Sequence, residues 1–247
     1  MIKKKTLLTT YIVMCSATAI VAGYCLYIHT IDDFSLALAS LALYAVPAFC
    51  EKIFKVQITC TLKITFLLFV FCSKIIGGIF LFYRTVPWWD TMLHTFNGFI
   101  CAAIGFSLVD VMNRKKKLSS QLSPIFLITV AFCFSMTVGI VWEFFEFAMD
   151  QIVGCDMQRD TVISSIHSAL LDPTKHDTTN IENIHEVIVN GQKLNIYGYL
   201  DIGLIDTMMD LLVNCAGAIV FCIIAYISTL KKYNNKLLKI FALAPKG

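Results

Sequence analysis

Long apolar stretches alternate with short polar ones along this chain. Six such stretches cover roughly residues 6–28, 34–50, 59–83, 91–112, 124–151 and 203–230. A bilayer core of about 30 Å requires about 20 apolar residues in a helix. Helix is the expected form because lipid satisfies no free backbone group. The pattern therefore predicts an all-α fold: a polytopic membrane bundle of about six transmembrane helices forming one domain over residues 1–247. The second stretch is the shortest. The first follows Lys3-Lys4-Lys5 and continues to about Tyr27. That exceeds the apolar core of a signal peptide, about 7–15 residues, so it reads as a retained span.

One polar segment is long. Residues 152–202 carry seven acids against three basic residues. Within it, Thr161 to Leu171 has apolar positions at helical spacing, which predicts an amphipathic helix on the membrane surface. Val187 to Leu194 surrounds Asn190-Gly191 and predicts a β-hairpin.

Composition agrees with lipid as the solvent. Hydrophobic residues make up 57% of the chain and charged residues 15%, with a mean hydropathy of +0.73. Soluble domains hold about 45–50% apolar residues. The net charge of +3 is small and its distribution is ordered. Fifteen of the twenty Lys and Arg residues fall in one alternating set of segments: 3–5, 52–63, 114–117 and 231–246. Arg84, Arg159, Lys175 and Lys193 fall in the other, and Lys74 lies inside the third span. The positive-inside rule then predicts cytoplasmic N- and C-termini and an extracytoplasmic 152–202 loop. No basic cluster suits nucleic acid; the expected partners are membrane lipids. Nine of the ten cysteines lie in or beside apolar segments, and only Cys155 falls clearly in the loop, so no internal disulfide is expected there.

The spans also contain charge, which is costly in a bilayer and marks interiors or cavities. The fourth begins after Trp88 and Trp89, suited to an interfacial belt. On it, Asp90, His94, Asn97 and Cys101 fall within about 60° of one another on a helix. The fifth ends with Glu143, Glu146 and Asp150 at i, i+3 and i+7; the sixth opens with Asp206, Asp210 and Asn214 at i, i+4 and i+8. At 1.5 Å rise per residue, His94, Glu143, Glu146, Asp206 and Asp210 lie about 5–12 Å inside the outer boundary. Four carboxylates and one imidazole thus share one level, with Asp90 and Asp150 closer to the surface. Lys74, Arg84 and Arg159 are the available counter-ions, and several acids remain. They must be protonated, hydrated or bound to a cation.

Asp90, His94, Glu143, Glu146, Asp206 and Asp210 are therefore candidate ligands for a divalent metal such as Mg, Mn, Zn or Fe. His94, Glu143 and Asp210 are candidate acid–base groups. Asn97, Asn214, Asp150, Arg159 and Lys74 complete the polar cluster. The same residues suit a proton relay, or hydrogen bonding between helices. Asp110, with Arg114 four residues on, predicts a surface ion pair. His167, His176 and His185 are nine residues apart in a polar loop and read as solvated.

The order Asp90-x-x-x-His94, Glu143-x-x-Glu146, Arg159, then Asp206-x-x-x-Asp210-x-x-x-Asn214-x-x-Gly217 resembles the VanZ-like superfamily, and in particular its YjdF-type branch of bacterial inner-membrane proteins. The resemblance covers roughly residues 84–222 and implies a role at the bacterial cell envelope. It departs in about forty residues inserted between Arg159 and Asp206, and in Glu146 where Gln is frequent.

Three functions fit: a metal-assisted enzyme acting on a lipid-linked or envelope substrate, a cation- or proton-coupled carrier or binding protein, and an accessory protein whose polar cluster joins helices. Signatures of lipid phosphatases, serine proteases, CDP-alcohol transferases and CAAX-type proteases are absent from the sequence. For a carrier, Gly77-Gly78 is the one candidate helix break.

Overall fold

The computed structural model describes residues 4–53, 55–114, 122–230 and 243–245. Eight α-helices are present among them. They are α1 (Lys4–Tyr27), α2 (Ile31–Leu43), α3 (Val46–Ile53), α4 (Cys60–Val70), α5 (Phe82–Thr85), α6 (Trp89–Arg114), α7 (Pro124–Val153) and α8 (Leu204–Leu230). A π-helix, Phe71–Ile79, continues α4. Six helical stretches are long and apolar enough to cross a bilayer: Lys4–Tyr27, Ile31–Ile53, Cys60–Ile79, Trp89–Met112, Pro124–Val153 and Leu204–Thr229.

Two stretches are interrupted for identifiable reasons. The second bends at Tyr44–Ala45, because Pro47 in the first turn of α3 has no N–H to carry the α2 ladder onward. The third widens into the π-helix and ends beyond Gly77-Gly78, where Leu81 takes a left-handed conformation, φ 59°. Ser73 and Tyr83 share a hydrogen bond of 2.9 Å across that turn.

The contacts divide into two units, and the division crosses α7 and α8. The first comprises Met1–Gly139 and Val213–Gly247. In it α1 packs on α2, with Ala22, Ala37 and Ile75 at the centre. The Thr18 and Tyr44 hydroxyls, both buried, hydrogen-bond at 3.0 Å. A second core joins α6, the first half of α7 and the second half of α8. Its centre is small residues, Ala102, Ala103, Ala131, Ala218 and Ala225, filled out by Phe106 and Phe221. Small residues let membrane helices approach closely, which compensates for the missing hydrophobic drive between helices in lipid. The approach is closest where Gly98 of α6 meets the main chain of Asn214, and Gly217 of α8 meets that of Thr95. Strand β1 (Val56–Ile58) pairs antiparallel with β8 (Leu243–Pro245).

The second unit is Ile140–Leu212. It holds the end of α7, the start of α8 and the segment between them. That segment forms three small antiparallel pairs. Strand β2 (Thr161–Ile163) pairs with β7 (Tyr199–Asp201), β3 (Ile166–Ser168) with β4 (Thr179–Ile181), and β5 (Ile188–Val189) with β6 (Gln192–Lys193). The last is a hairpin whose turn residues Asn190 and Gly191 both have positive φ, 52° and 78°.

The amphipathic helix expected over 161–171 is not formed. Thr161, Val162, Ile163 and Ile166 are β-branched residues that suit strands. They find partners 15 to 40 residues downstream, and only Ala169–Leu171 is helical, as one 3-10 turn. The Asp110–Arg114 pair involves a side chain outside the described residues.

Candidate functional site

In the first unit, Asp90 and His94 open α6 one turn apart. Asp90 is 7% exposed and His94 9%, and His94 Nε2 lies 3.5 Å from Asp90 Oδ1. One turn further on, Asn97 donates from Nδ2 to Asn214 Oδ1 at 3.2 Å. It also accepts a weak bond from the Cys101 thiol at 3.4 Å. Asn214 is 1% exposed and sends its own Nδ2 toward the Ser135 carbonyl at 3.5 Å. The Ser135 hydroxyl donates to the Gly98 carbonyl at 2.8 Å. Ser135, Gly98 and the two asparagines therefore join three helices through polar contacts within an apolar core. Lys74 sits half-buried on the π-helix, and Arg84 is exposed.

In the second unit, Glu143 and Glu146 on α7 face Asp210 on α8. Each offers a carboxylate oxygen, and these oxygens lie within 4.8 Å of one another. The residues are 4%, 7% and 4% exposed. Spacing creates the trio: i, i+3 puts the two glutamates on one face of α7. Oxygens on opposite sides of a cation at 2.1–2.4 Å are separated by about 4.2–4.8 Å, so the donor set fits Mg2+, Mn2+ or Ca2+. Three carboxylates at this separation repel one another, and burial adds the cost of desolvating each charge. A bound cation offsets both costs.

Trp142 holds the trio from one side, its indole N–H donating to Glu146 Oε1 at 2.9 Å. Trp142 is not among the residues expected from sequence, although its i, i+4 spacing to Glu146 is a visible signal. Trp142 also lies against Phe145, with ring centroids 5.3 Å apart.

Asp206 and Asp150 have other partners. Asp206 Oδ1 accepts from Arg159 Nη2 at 3.0 Å, and its Oδ2 accepts from the Arg159 backbone N–H at 3.1 Å. Asp150 accepts the backbone N–H groups of Met157 and Gln158 at 2.7 and 2.8 Å. The structure thus joins Glu143, Glu146 and Asp210, and assigns Asp206 and Asp150 to the chain leaving α7. In the loop beyond, Asp160 is exposed and its carboxyl is pushed up, first by desolvation and then by Asp156, Asp150 and Asp201. His167 hydrogen-bonds Asn180 at 2.8 Å across β3 and β4 on the exposed surface, and His176 and His185 also lie in the loop.

The family described as "Predicted membrane protein (DUF2238)" matches residues 8–231, and the chain belongs to it. A Thermotoga maritima protein described as "Uncharacterized protein" is 26% identical over 107 residues, 43% of this chain and 53% of that protein. The chain thus spans about half the length of the curated relative it matches. No solved structure matches. The protein is a multi-pass integral membrane protein.

Proposed function

We propose that the protein is a cation-dependent membrane enzyme acting on a lipid-linked or envelope substrate. Glu143, Glu146 and Asp210 hold a divalent cation in this reading. The observation that carries it is the trio itself: three carboxylates, each at least nine-tenths buried, with oxygens spaced for one metal ion. The cation would polarise an oxygen of the substrate or activate water. His94, paired with Asp90 at 3.5 Å in the first unit, is the candidate acid–base group. The asymmetry of Lys and Arg supports an extracytoplasmic 152–202 loop, which puts the site toward the outer leaflet. The resemblance to VanZ-like proteins supports an envelope role in a bacterial cytoplasmic membrane.

A thermal-shift titration tests the cation site. Ligand at 100 times its Kd stabilises the folded state by about 2.7 kcal/mol. Mn2+ should raise the melting temperature of the detergent-purified wild type and leave Asp210→Asn unmoved. Equal shifts in both proteins would sink the reading.

A second reading, a cation- or proton-coupled carrier, is favoured by the π-helix. It interrupts a span and carries Lys74, and interrupted spans are used by carriers at their binding sites. In that case proteoliposomes show a flux driven by a pH gradient that Glu143→Gln removes.

A further inference from the structure

The trio is closed. Its three residues are 4%, 7% and 4% exposed, so a cation reaches them only if something moves. The chain just beyond α7 supplies a part able to move.

Residues 156–159 lie between the last turn of α7 and the first turn of α8, one helical turn from the trio on each helix. Asp150 stands four residues after Glu146, and Asp206 stands four residues before Asp210. The segment is fastened at both ends by polar contacts. On the α7 side, Asp150 accepts the Met157 and Gln158 amides. On the α8 side, the Gln158 side chain donates to the Thr207 hydroxyl at 2.5 Å, and Arg159 holds Asp206 twice. The segment also sits directly on Gly203, φ 88°, where any side chain would strike the Gln158 backbone. Before it comes Gly154, φ 75°, with open space around it. Met157, Gln158 and Arg159 are only half-buried. A strap with a glycine pivot, polar fastenings and little buried apolar surface opens at low cost.

We propose that residues 156–159 form the gate of the cation site, and that the Gln158–Thr207 and Arg159–Asp206 contacts are its latch. The inference rests on the cation-site reading above. The cation enters from the loop side, between the facing ends of α7 and α8, when the latch releases. Asp150 acts as the fixed post and Asp206 as the catch.

Charge provides a diagnostic sign. Removing the Arg159 cation makes the surroundings more negative, and electrostatics alone would then slow cation release. Opening a gate accelerates release and uptake together.

The experiment is stopped-flow mixing of Mn2+ with the full-length protein in detergent, followed by quenching of tryptophan emission, with Trp142 beside the site as reporter. Release is started by excess EDTA. Arg159→Gln should speed both uptake and release, each by about tenfold, the effect of losing one charge-assisted hydrogen bond. Gln158→Ala, which changes no charge, should move both rates in the same direction by less, and it carries the test if Arg159→Gln does not fold. The proposal is overturned if release is unchanged or slower, or if release quickens while uptake does not, which is the mark of a distorted site. If wild type shows no saturable quenching, or Glu143→Gln/Asp210→Asn quenches equally, the cation reading fails and the gate with it. Saturable quenching that depends on the trio, with rates unmoved by either latch variant, overturns the gate alone.

Discussion

Gly98 on α6 lies against the main-chain carbonyl of Asn214 on α8, leaving no room for a side chain between them. One turn along, Gly217 meets the Thr95 carbonyl in the same way. Backbone-to-backbone contact fixes the crossing of α6 and α8 at the level of the Asn97–Asn214 hydrogen bond.

Adding a methyl group at that crossing should therefore be costly. Gly98→Ala forces backbone to move, and overpacking of this kind costs about 1–3 kcal/mol. Thermal unfolding in detergent should show a clearly lowered melting temperature. Gly23→Ala, where nothing lies within 4 Å of the new atom, is the control and should leave stability unchanged or slightly raised. Equal effects of the two substitutions would refute the close crossing.

The Asn97–Asn214 hydrogen bond, inside an apolar bundle, should couple measurably. Interhelical polar pairs of this kind give about 0.6 kcal/mol, reaching about 1.7 kcal/mol. A double-mutant cycle with Asn97→Ala and Asn214→Ala should return a coupling in that range. Asn214→Ala alone should cost more than Asn97→Ala, because Asn214 also reaches Ser135. Strict additivity would mean the contact contributes nothing.

Much of this arrangement was legible in sequence, because lipid imposes simple demands. Apolar runs of sufficient length had to be helices, and i, i+3 spacing put Glu143 and Glu146 on one face whatever their surroundings. What escaped was decided by contacts distant in sequence. Asp206 and Asp210 share a face of α8, so spacing alone treats them alike. Only folding brings Arg159, 47 residues upstream, onto Asp206 and removes it from the acidic trio. In the 161–171 segment, apolar spacing suited a helix while β-branched side chains suited strands, and the strand partners at 179–181 and 199–201 decided the outcome. The π-helix left no signal in composition; Gly77-Gly78 marked its neighbourhood but not its form.

Loop acidity gives a prediction with a sign. Desolvation, with Asp156, Asp150 and Asp201 nearby, raises the Asp160 pKa above its ordinary value. A carboxyl raised on folding contributes stability below its unfolded pKa and loses that contribution as pH rises through the folded one. Asp160→Asn should therefore stabilise the protein at pH 7 and give a smaller difference at pH 4. Exposure keeps the effect small. Melting curves of the two proteins at both pH values test it; a difference that grows on acidification has the wrong sign.

If Glu143, Glu146 and Asp210 bind a cation, the purified protein carries it. Metal content is the most direct test, measured by mass spectrometry on detergent-purified wild type beside the Glu143→Gln/Asp210→Asn variant, with both proteins confirmed as folded. The expected result is about one divalent cation per chain in the wild type, the stoichiometry of a single carboxylate site, and its loss in the variant. Metal at the same level in both, or a folded wild type that binds none after incubation with Mg2+, Mn2+ and Ca2+, would contradict it.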